Sequence, residues 1–268
     1  MLSFTFNEAI RTKWLIVFAV AFFFVATNLL GMLASYIHML PPRYGDLTLN
    51  EQVLVAFPLV PLLALLMGAT SIVDDRESGT MQYLLSNPIT KFDFYLGRIG
   101  GLLSATTMVI FLGFGGAAVL TFALGSAQFL AVAILALTAS LLNAVMLALA
   151  LIISEVSSRK TTAIGVAIFF WFLLTTVSGL DTLTYAVYWK ESATAAVSLV
   201  LLDPVETSRI VAIEAAHLNE SAVFGQSDYL AKHFLGGELL SVTVVSVIAW
   251  LVLLTIVGLL VFRHQDSA

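Results

Sequence analysis

The stretch FLAVAILALTASLLNAVMLALALII, residues 129–153, decides the fold because it contains no charged side chain and no proline. A helix needs about 20 apolar residues to cross the hydrocarbon core of a bilayer, since each residue adds about 1.5 Å. The most polar residue here, Asn143, is more typical of a contact between helices than of a ligand site. The sequence therefore predicts that this stretch is a membrane-spanning helix.

Five further apolar stretches lie on either side of it, and together they predict an all-α integral membrane protein of six transmembrane helices. The chain, residues 1–268, is interpreted as one domain. The composition agrees, because 60% of the residues are hydrophobic and 11% are charged, whereas about a quarter are charged in a typical soluble domain. The predicted spans are residues 14–37, 53–73, 99–124, 129–153, 163–180 and 239–262.

Composition and motifs also exclude several functions. The net charge of −5 and the scattered basic residues argue against binding of nucleic acid. Cysteine is absent, so zinc-thiolate and iron–sulfur sites are excluded. The sequence contains no H-E-x-x-H, G-x-S-x-G or phosphate-loop motif, and no predicted span has an ionisable residue in its interior. We expect no catalytic residue, no metal site, no bound cofactor and no ATPase activity in this chain.

The basic residues predict the orientation of the spans, because short cytoplasmic loops are enriched in Lys and Arg. With the N-terminus inside, eight basic residues lie in cytoplasmic segments and four lie outside. This distribution places both termini in the cytoplasm. The expected location is the cytoplasmic membrane, with lipid surrounding the spans.

The cytoplasmic segment after the second span has the pattern of a short amphipathic helix. Acidic residues stand at its start, apolar residues recur every three or four positions from Met81 to Ile89, and Asn87-Pro88 ends the pattern. Helices that lie on lipid headgroups are usually rich in Lys and Arg on their polar face. The acidic start of this segment, Asp74 to Glu77, therefore favours a protein partner over anionic lipid.

The outer segment between the fifth and sixth spans, residues 181–238, forms an acidic cap that contains eight acidic and three basic residues. Asp203, Pro204 and Glu206 predict the start of a helix that reaches about Leu218. The apolar run 193–202 is too short to span and is interpreted as re-entrant or interfacial. The cap either binds a basic external accessory protein or is a solvated surface. The residues expected at such a contact are Asp203, Pro204, Glu206 and Arg209.

The cytoplasmic segment carries a family resemblance. The run from Glu77 to Lys91, E-S-G-T-M-Q-Y-L-L-S-N-P-I-T-K, followed by Leu96-Gly97-Arg98, resembles a signature of type-2 ABC transporter permeases. The layout of six spans, with a cytoplasmic segment after the second and re-entrant helices outside between the fifth and sixth, is similar to the layout of that family. The resemblance also implies a cytoplasmic amphipathic segment before the first span, which residues 7–11 would form. A finer resemblance links residues 203–210, D-P-V-E-T-S-R-I, to the N-P-x-D-x-[FY]-R-[LI] segment of the permease that serves maturation of the copper enzyme nitrous oxide reductase.

The resemblance implies a permease subunit without catalytic residues that pairs with a second copy of itself around a central pathway. Two cytoplasmic ATPase subunits, which bind ATP and Mg²⁺, would each dock on the helix from Asp74 to Asn87 of one copy. Gly97, Gly101 and Ala105 form a small-residue ridge on the third span that suits either a moving interface or packing within the chain. A non-transporting scaffold or signalling subunit, and an exporter of lipids, peptides or drugs, stay open as alternatives. The predicted docking residues are Asp74, Asp75, Glu77, Gly79, Thr80, Met81, Leu84, Leu85 and Pro88.

Overall fold

The computed structural model describes residues 2–27, 44–80, 91–123, 129–188, 200–218 and 238–264, and every regular element within these ranges is helical. The helices are numbered in chain order: α1 Leu2–Arg11, α2 Lys13–Ala26, α3 Tyr44–Glu77, α4 Lys91–Ala123, α5 Phe129–Val156, α6 Lys160–Tyr188, α7 Pro204–Ala215 and α8 Leu239–His264. The predicted all-α fold is confirmed for this part of the chain.

Helix α5, which contains the stretch 129–153, lies at the centre of the bundle. It packs against α3, α4, α7 and α8, and most of its apolar stretch is buried. A helix that is apolar all round is suited to burial on several sides. Asn143 in its middle donates a hydrogen bond from Nδ2 to Oγ1 of Thr106 on α4 at 2.8 Å. The predicted contact between helices is therefore confirmed.

Four helices in the described residues are long and apolar enough to cross a membrane: Ala56–Glu77, Phe92–Val119, Phe129–Val156 and Leu239–His264. They correspond to the second, third, fourth and sixth predicted spans. Helices α1 and α2 meet at 71° and would make a fifth crossing if they form one bent span. The fifth predicted span lies in α6, whose apolar part, Lys160–Thr176, is shorter. Part of the first predicted span, residues 28–37, lies outside the described residues.

The structure corrects the predicted start of the cytoplasmic helix. Asp74 to Glu77 do not begin a new helix but form the last turn of α3. The helix is interrupted at Ser78 and Gly79. Gly79 has a φ of 73°, a left-handed conformation that glycine adopts without steric cost. Helical conformation resumes at Thr80, and residues 81–90 lie outside the described part of the chain.

The outer segment is also more helical at its start than the sequence predicted. Helix α6 continues to Tyr188, so the segment 181–238 begins inside a helix. The predicted cap of α7 is confirmed, because the Asp203 carboxylate accepts hydrogen bonds from the backbone N–H groups of Val205 and Glu206. Helix α7 ends at Ala215, earlier than predicted, and packs against α3, α5 and α8. Most of the apolar run 193–202 lies outside the described residues.

Helices α3 and α5 pack tightly at a glycine, and this contact gives the first prediction. A Cβ added at Gly68 would stand 2.5 Å from the Cβ of Ala150, so we expect Gly68→Ala to destabilise the bundle by about 1–3 kcal/mol through overpacking. Gly165→Ala on α6 is the matched control, because nothing lies within 4 Å of a Cβ there. The midpoint of thermal unfolding in detergent should fall for the first variant alone. Equal midpoints would contradict the close packing at Gly68.

Candidate functional site

A buried guanidinium connects three helices at the ends that are predicted to be cytoplasmic. Arg98 on α4 is 4% exposed at its side chain, and its Nη1 lies 2.6 Å from Oε2 of Glu8 on α1. Its Nη2 lies 2.9 Å from Oδ2 of Asp75 on α3. The same Nη2 donates to the backbone carbonyl of Ser71 at 2.8 Å, and Nε donates to the Ser71 hydroxyl. We call Glu8, Ser71, Asp75 and Arg98 the Arg98 cluster.

The Arg98 cluster is suited to holding charge away from water. A guanidinium carries five donors in a planar fork, which matches two carboxylates and a carbonyl better than an ammonium could. Asp75 is only 5% exposed and depends on this contact, whereas Glu8 is 47% exposed and remains partly solvated. Loss of one partner of a buried ion pair is costly because the other charge stays desolvated. The bond to Asp75 is therefore the more important of the two.

Helix α1 reaches Arg98 because it packs closely on α4. A Cβ at Gly101 would lie 2.5 Å from the Cβ of Thr5, so the small-residue ridge predicted on the third span is used here for packing within the chain. Thr5 and Ala9 are buried, while Leu2 and Phe4 are exposed. The segment 7–11, which was predicted to be amphipathic, lies within α1.

A second set of contacts ties the end of α3 to α5 and α6. Glu77 Oε1 accepts a hydrogen bond from the backbone N–H of Lys160, the first residue of α6, at 3.1 Å. Lys160 Nζ lies 2.8 Å from Oδ2 of Asp74. Arg76 Nη1 donates to the backbone carbonyl of Glu155 at 3.2 Å. Consecutive residues at the end of α3 are thus bound to different neighbouring helices.

The predicted docking residues differ in their exposure. Asp74 and Glu77 are exposed, so their predicted docking role stays a prediction. Asp75 is buried against Arg98, and its predicted docking role also stays a prediction. Gly79 and Thr80 lie at the break after α3. The remaining members, Met81, Leu84, Leu85 and Pro88, lie outside the described residues.

The predicted contact residues of the outer cap are buried as well. Asp203 caps α7, Pro204 occupies its first position, and Arg209 pairs with Glu206 one turn earlier in the helix. All four side chains have less than a tenth of their surface exposed or lie in the buried set of α7. They are buried because α7 packs against α3, α5, α6 and α8. Their predicted contact with an external partner stays a prediction.

Sequence reasoning did not identify the Arg98 cluster as a site. Arg98 entered only as part of the family signature, and Glu8 only as part of an amphipathic segment. The available signal was that Arg98 and Asp75 each stand directly beside an apolar span, where an ion pair between spans can form. Among the described residues, no group of three His, Asp or Glu side chains is arranged to hold a metal ion.

The Arg98 cluster gives the second prediction. Arg98→Met leaves Asp75 buried without its cation, and we expect a loss of about 3–5 kcal/mol in the free energy of unfolding. The double variant Asp75→Leu, Arg98→Met removes both charges and should recover part of this loss. Asp74→Asn is the control, because its pair with Lys160 is exposed and such pairs contribute about 0–1 kcal/mol. Thermal unfolding in one detergent compares the variants. A double variant less stable than Arg98→Met would contradict the assignment.

Comparison with known proteins identifies the family of the sequence. The sequence matches the family model of ABC-2 family transporter proteins over residues 5–267. A probable ABC transporter permease protein NosY of Stutzerimonas stutzeri is 27% identical over 259 residues, which cover 94% of this chain and 90% of that protein. A probable ABC transporter permease protein NosY of Pseudomonas aeruginosa is 26% identical over 211 residues, which cover 76% and 77% of the two chains. The resemblance stated from Glu77 to Arg98 is confirmed, and the chain belongs to the ABC-2 family as a multi-pass membrane permease subunit.

Proposed function

We propose that this permease subunit is driven by a separate cytoplasmic ATPase that docks on the segment after α3. The observation that carries the proposal is the way in which α3 ends. The exposed Asp74 and Glu77 stand immediately before the break at Gly79, and the family signature continues beyond it. The sequence contains no phosphate loop of its own. The energy for transport therefore comes from a partner.

The contacts of α3 provide a route by which docking moves the helices. A force on the segment after Gly79 acts on the last turn of α3, where Asp75 is bound to Arg98 on α4. The same guanidinium holds Glu8 on α1, and Glu77 holds the first residue of α6. Helices joined by ion pairs and charge-assisted hydrogen bonds move together more readily than helices in apolar contact alone. Docking would thus act on α1, α3, α4 and α6 as one unit.

The proposed assembly contains two copies of this chain, each with six spans and both termini in the cytoplasm. The family layout and the distribution of basic residues support this arrangement. The two halves would alternate between inward-open and outward-open states as ATP closes the pair of ATPase subunits. The bound ATP and Mg²⁺ belong to those subunits and not to this chain.

The finer part of the proposal is a role in maturation of a copper enzyme of the nitrous oxide reductase type. It is supported by the resemblance of residues 203–210. Glu206 stands where that segment has Asp, yet it still places a carboxylate against Arg209, one turn away. Ser208 stands where the segment has an aromatic residue, and its side chain is fully buried in α7. The alternatives are a scaffold subunit and an exporter of lipids, peptides or drugs.

The docking proposal gives the third prediction. Leu84→Asp places a charge on the apolar face that the segment would offer, and we expect it to abolish co-purification of the ATPase with the permease. Glu77→Ala should weaken co-purification less and should also lower thermal stability, because Glu77 binds the first residue of α6. Glu238→Ala, an exposed acidic residue near the start of α8 at the opposite end of the molecule, is the control. Full binding by folded Leu84→Asp protein would refute docking at this segment.

The finer proposal gives the fourth prediction. Deletion of the gene for this chain from its native host should leave the host's copper enzyme of the nitrous oxide reductase type synthesised and exported but deficient in copper. Metal analysis of the purified enzyme measures the deficit, and a plasmid copy of the wild-type gene should restore it. A plasmid copy carrying Leu84→Asp should not. Normal copper content in the deletion strain would exclude this role and leave the permease assignment intact.

A further inference from the structure

A cavity of 280 Å³ lies between α1, α2, α3, α4 and α6, beside the Arg98 cluster. Four charged residues line one part of it: Glu8, Asp74, Arg98 and Lys160. Apolar side chains line another part, among them Phe18 on α2, Leu66 on α3 and Ile168 on α6. The cavity therefore has a charged part and an apolar part. This division matches an amphiphile rather than a uniformly polar or apolar molecule.

The charged part is balanced. Arg98 pairs with Glu8 at 2.6 Å, and Lys160 pairs with Asp74 at 2.8 Å, so two cations face two carboxylates. A simple anion would meet two carboxylates, and a simple cation would meet two basic groups. A zwitterion that carries a phosphate and an ammonium can contact one group of each pair with the opposite charge.

Two threonines on the cavity wall add acceptors for an ammonium. The hydroxyl of Thr12 donates to the backbone carbonyl of Glu8 at 3.1 Å, and that of Thr70 donates to the carbonyl of Leu66 at 3.0 Å. A hydroxyl has one donor and two acceptor lone pairs. Because each hydroxyl already donates to a backbone carbonyl, its oxygen is available to a ligand only as an acceptor.

The apolar part opens toward the lipid-facing surface. Ile168 lines the cavity and is also 46% exposed, so it stands at the opening. Exposed apolar residues continue from there along α6, at Phe169 and Phe172, and along α2, at Val17 and Val20. The volume is near the lower limit of pockets that hold whole small ligands, which is about 300 Å³. The cavity can thus enclose a headgroup, while the acyl chains follow these exposed faces outside it.

We propose that the cavity binds one zwitterionic phospholipid of the phosphatidylethanolamine type. Its phosphate contacts Lys160, its ammonium contacts Asp74, Glu8 and the threonine oxygens, and its chains lie along α2 and α6. The site joins α1 and α6, which share few direct contacts, through a bound lipid. The proposal is independent of the ATPase and of the transported substrate, because it requires only this chain in a membrane.

The fifth prediction tests lipid binding by native mass spectrometry of the full chain purified in detergent. Phosphatidylethanolamine and phosphatidylglycerol with identical acyl chains are titrated separately. We expect one phosphatidylethanolamine to be retained per chain, with an apparent affinity about ten-fold above that of phosphatidylglycerol. Equal affinity for the two lipids, or preference for phosphatidylglycerol, would overturn the zwitterionic assignment. Free phosphoethanolamine should not displace the lipid at equal concentration, and full displacement would indicate a site for a soluble zwitterion instead.

Variants of residues that line the cavity test where the lipid binds. Lys160→Ser removes the phosphate contact, and Thr70→Phe fills the cavity, so each should lower the affinity for phosphatidylethanolamine by about ten-fold. Arg159→Ser is the matched control, because Arg159 is the exposed neighbour of Lys160 and does not line the cavity. Thermal unfolding without added lipid identifies any variant that fails to fold. Lys160 is exposed at its side chain, so Lys160→Ser keeps the test decisive even if Thr70→Phe unfolds. Unchanged affinity in folded Lys160→Ser would refute the site.

Discussion

The requirement that a buried charge be paired organises the end of this bundle that is predicted to be cytoplasmic. The Arg98 guanidinium is almost completely removed from solvent, and it is matched by two carboxylates and by both oxygens of Ser71. Its partners come from α1 and α3, so the positions of these two helices follow from one side chain on α4. The amphipathic helix α1 could otherwise lie anywhere on the membrane surface. Helix α3 could otherwise end with its apolar run, but it continues one further turn and carries Asp75 to Arg98.

The span helices were predictable because the hydrocarbon core sets both their length and their composition. Residues 129–153 and 239–262 are apolar and contain no charged side chain, so a spanning helix is the structure expected of them. Both form helices within a few residues of the predicted bounds. Boundaries were less predictable where charged residues follow an apolar run. The sequence alone treats Asp74 to Glu77 as solvated, and therefore as the start of a surface helix. Their partners, Arg98 and Lys160, are distant in sequence, and a local pattern does not contain them.

The outer segment illustrates the same limit. The start of α7 at Asp203 was predictable because a carboxylate cap and a proline at the first position act within one turn. The burial of Glu206 and Arg209 was not, because it depends on α7 packing against four helices from other parts of the chain. The excess of acidic residues in this segment is real, but its members differ in exposure. Net charge in a sequence therefore does not by itself define an acidic surface.

The enclosed position of α5 has a consequence for the order in which the protein assembles. Its neighbours α3 and α4 are synthesised before it, whereas α7 and α8 follow it. Asn143 already finds its partner, Thr106, on a helix that has left the ribosome, so α4 and α5 can enter the bilayer as a hydrogen-bonded hairpin. Helix α8 has little of its apolar stretch buried in the protein, so it is suited to contact with lipid, and it covers the remaining side of α5. The order of synthesis therefore favours assembly of the core before α8 covers it, and the amide nitrogen of Asn143 has its partner as soon as α5 follows α4.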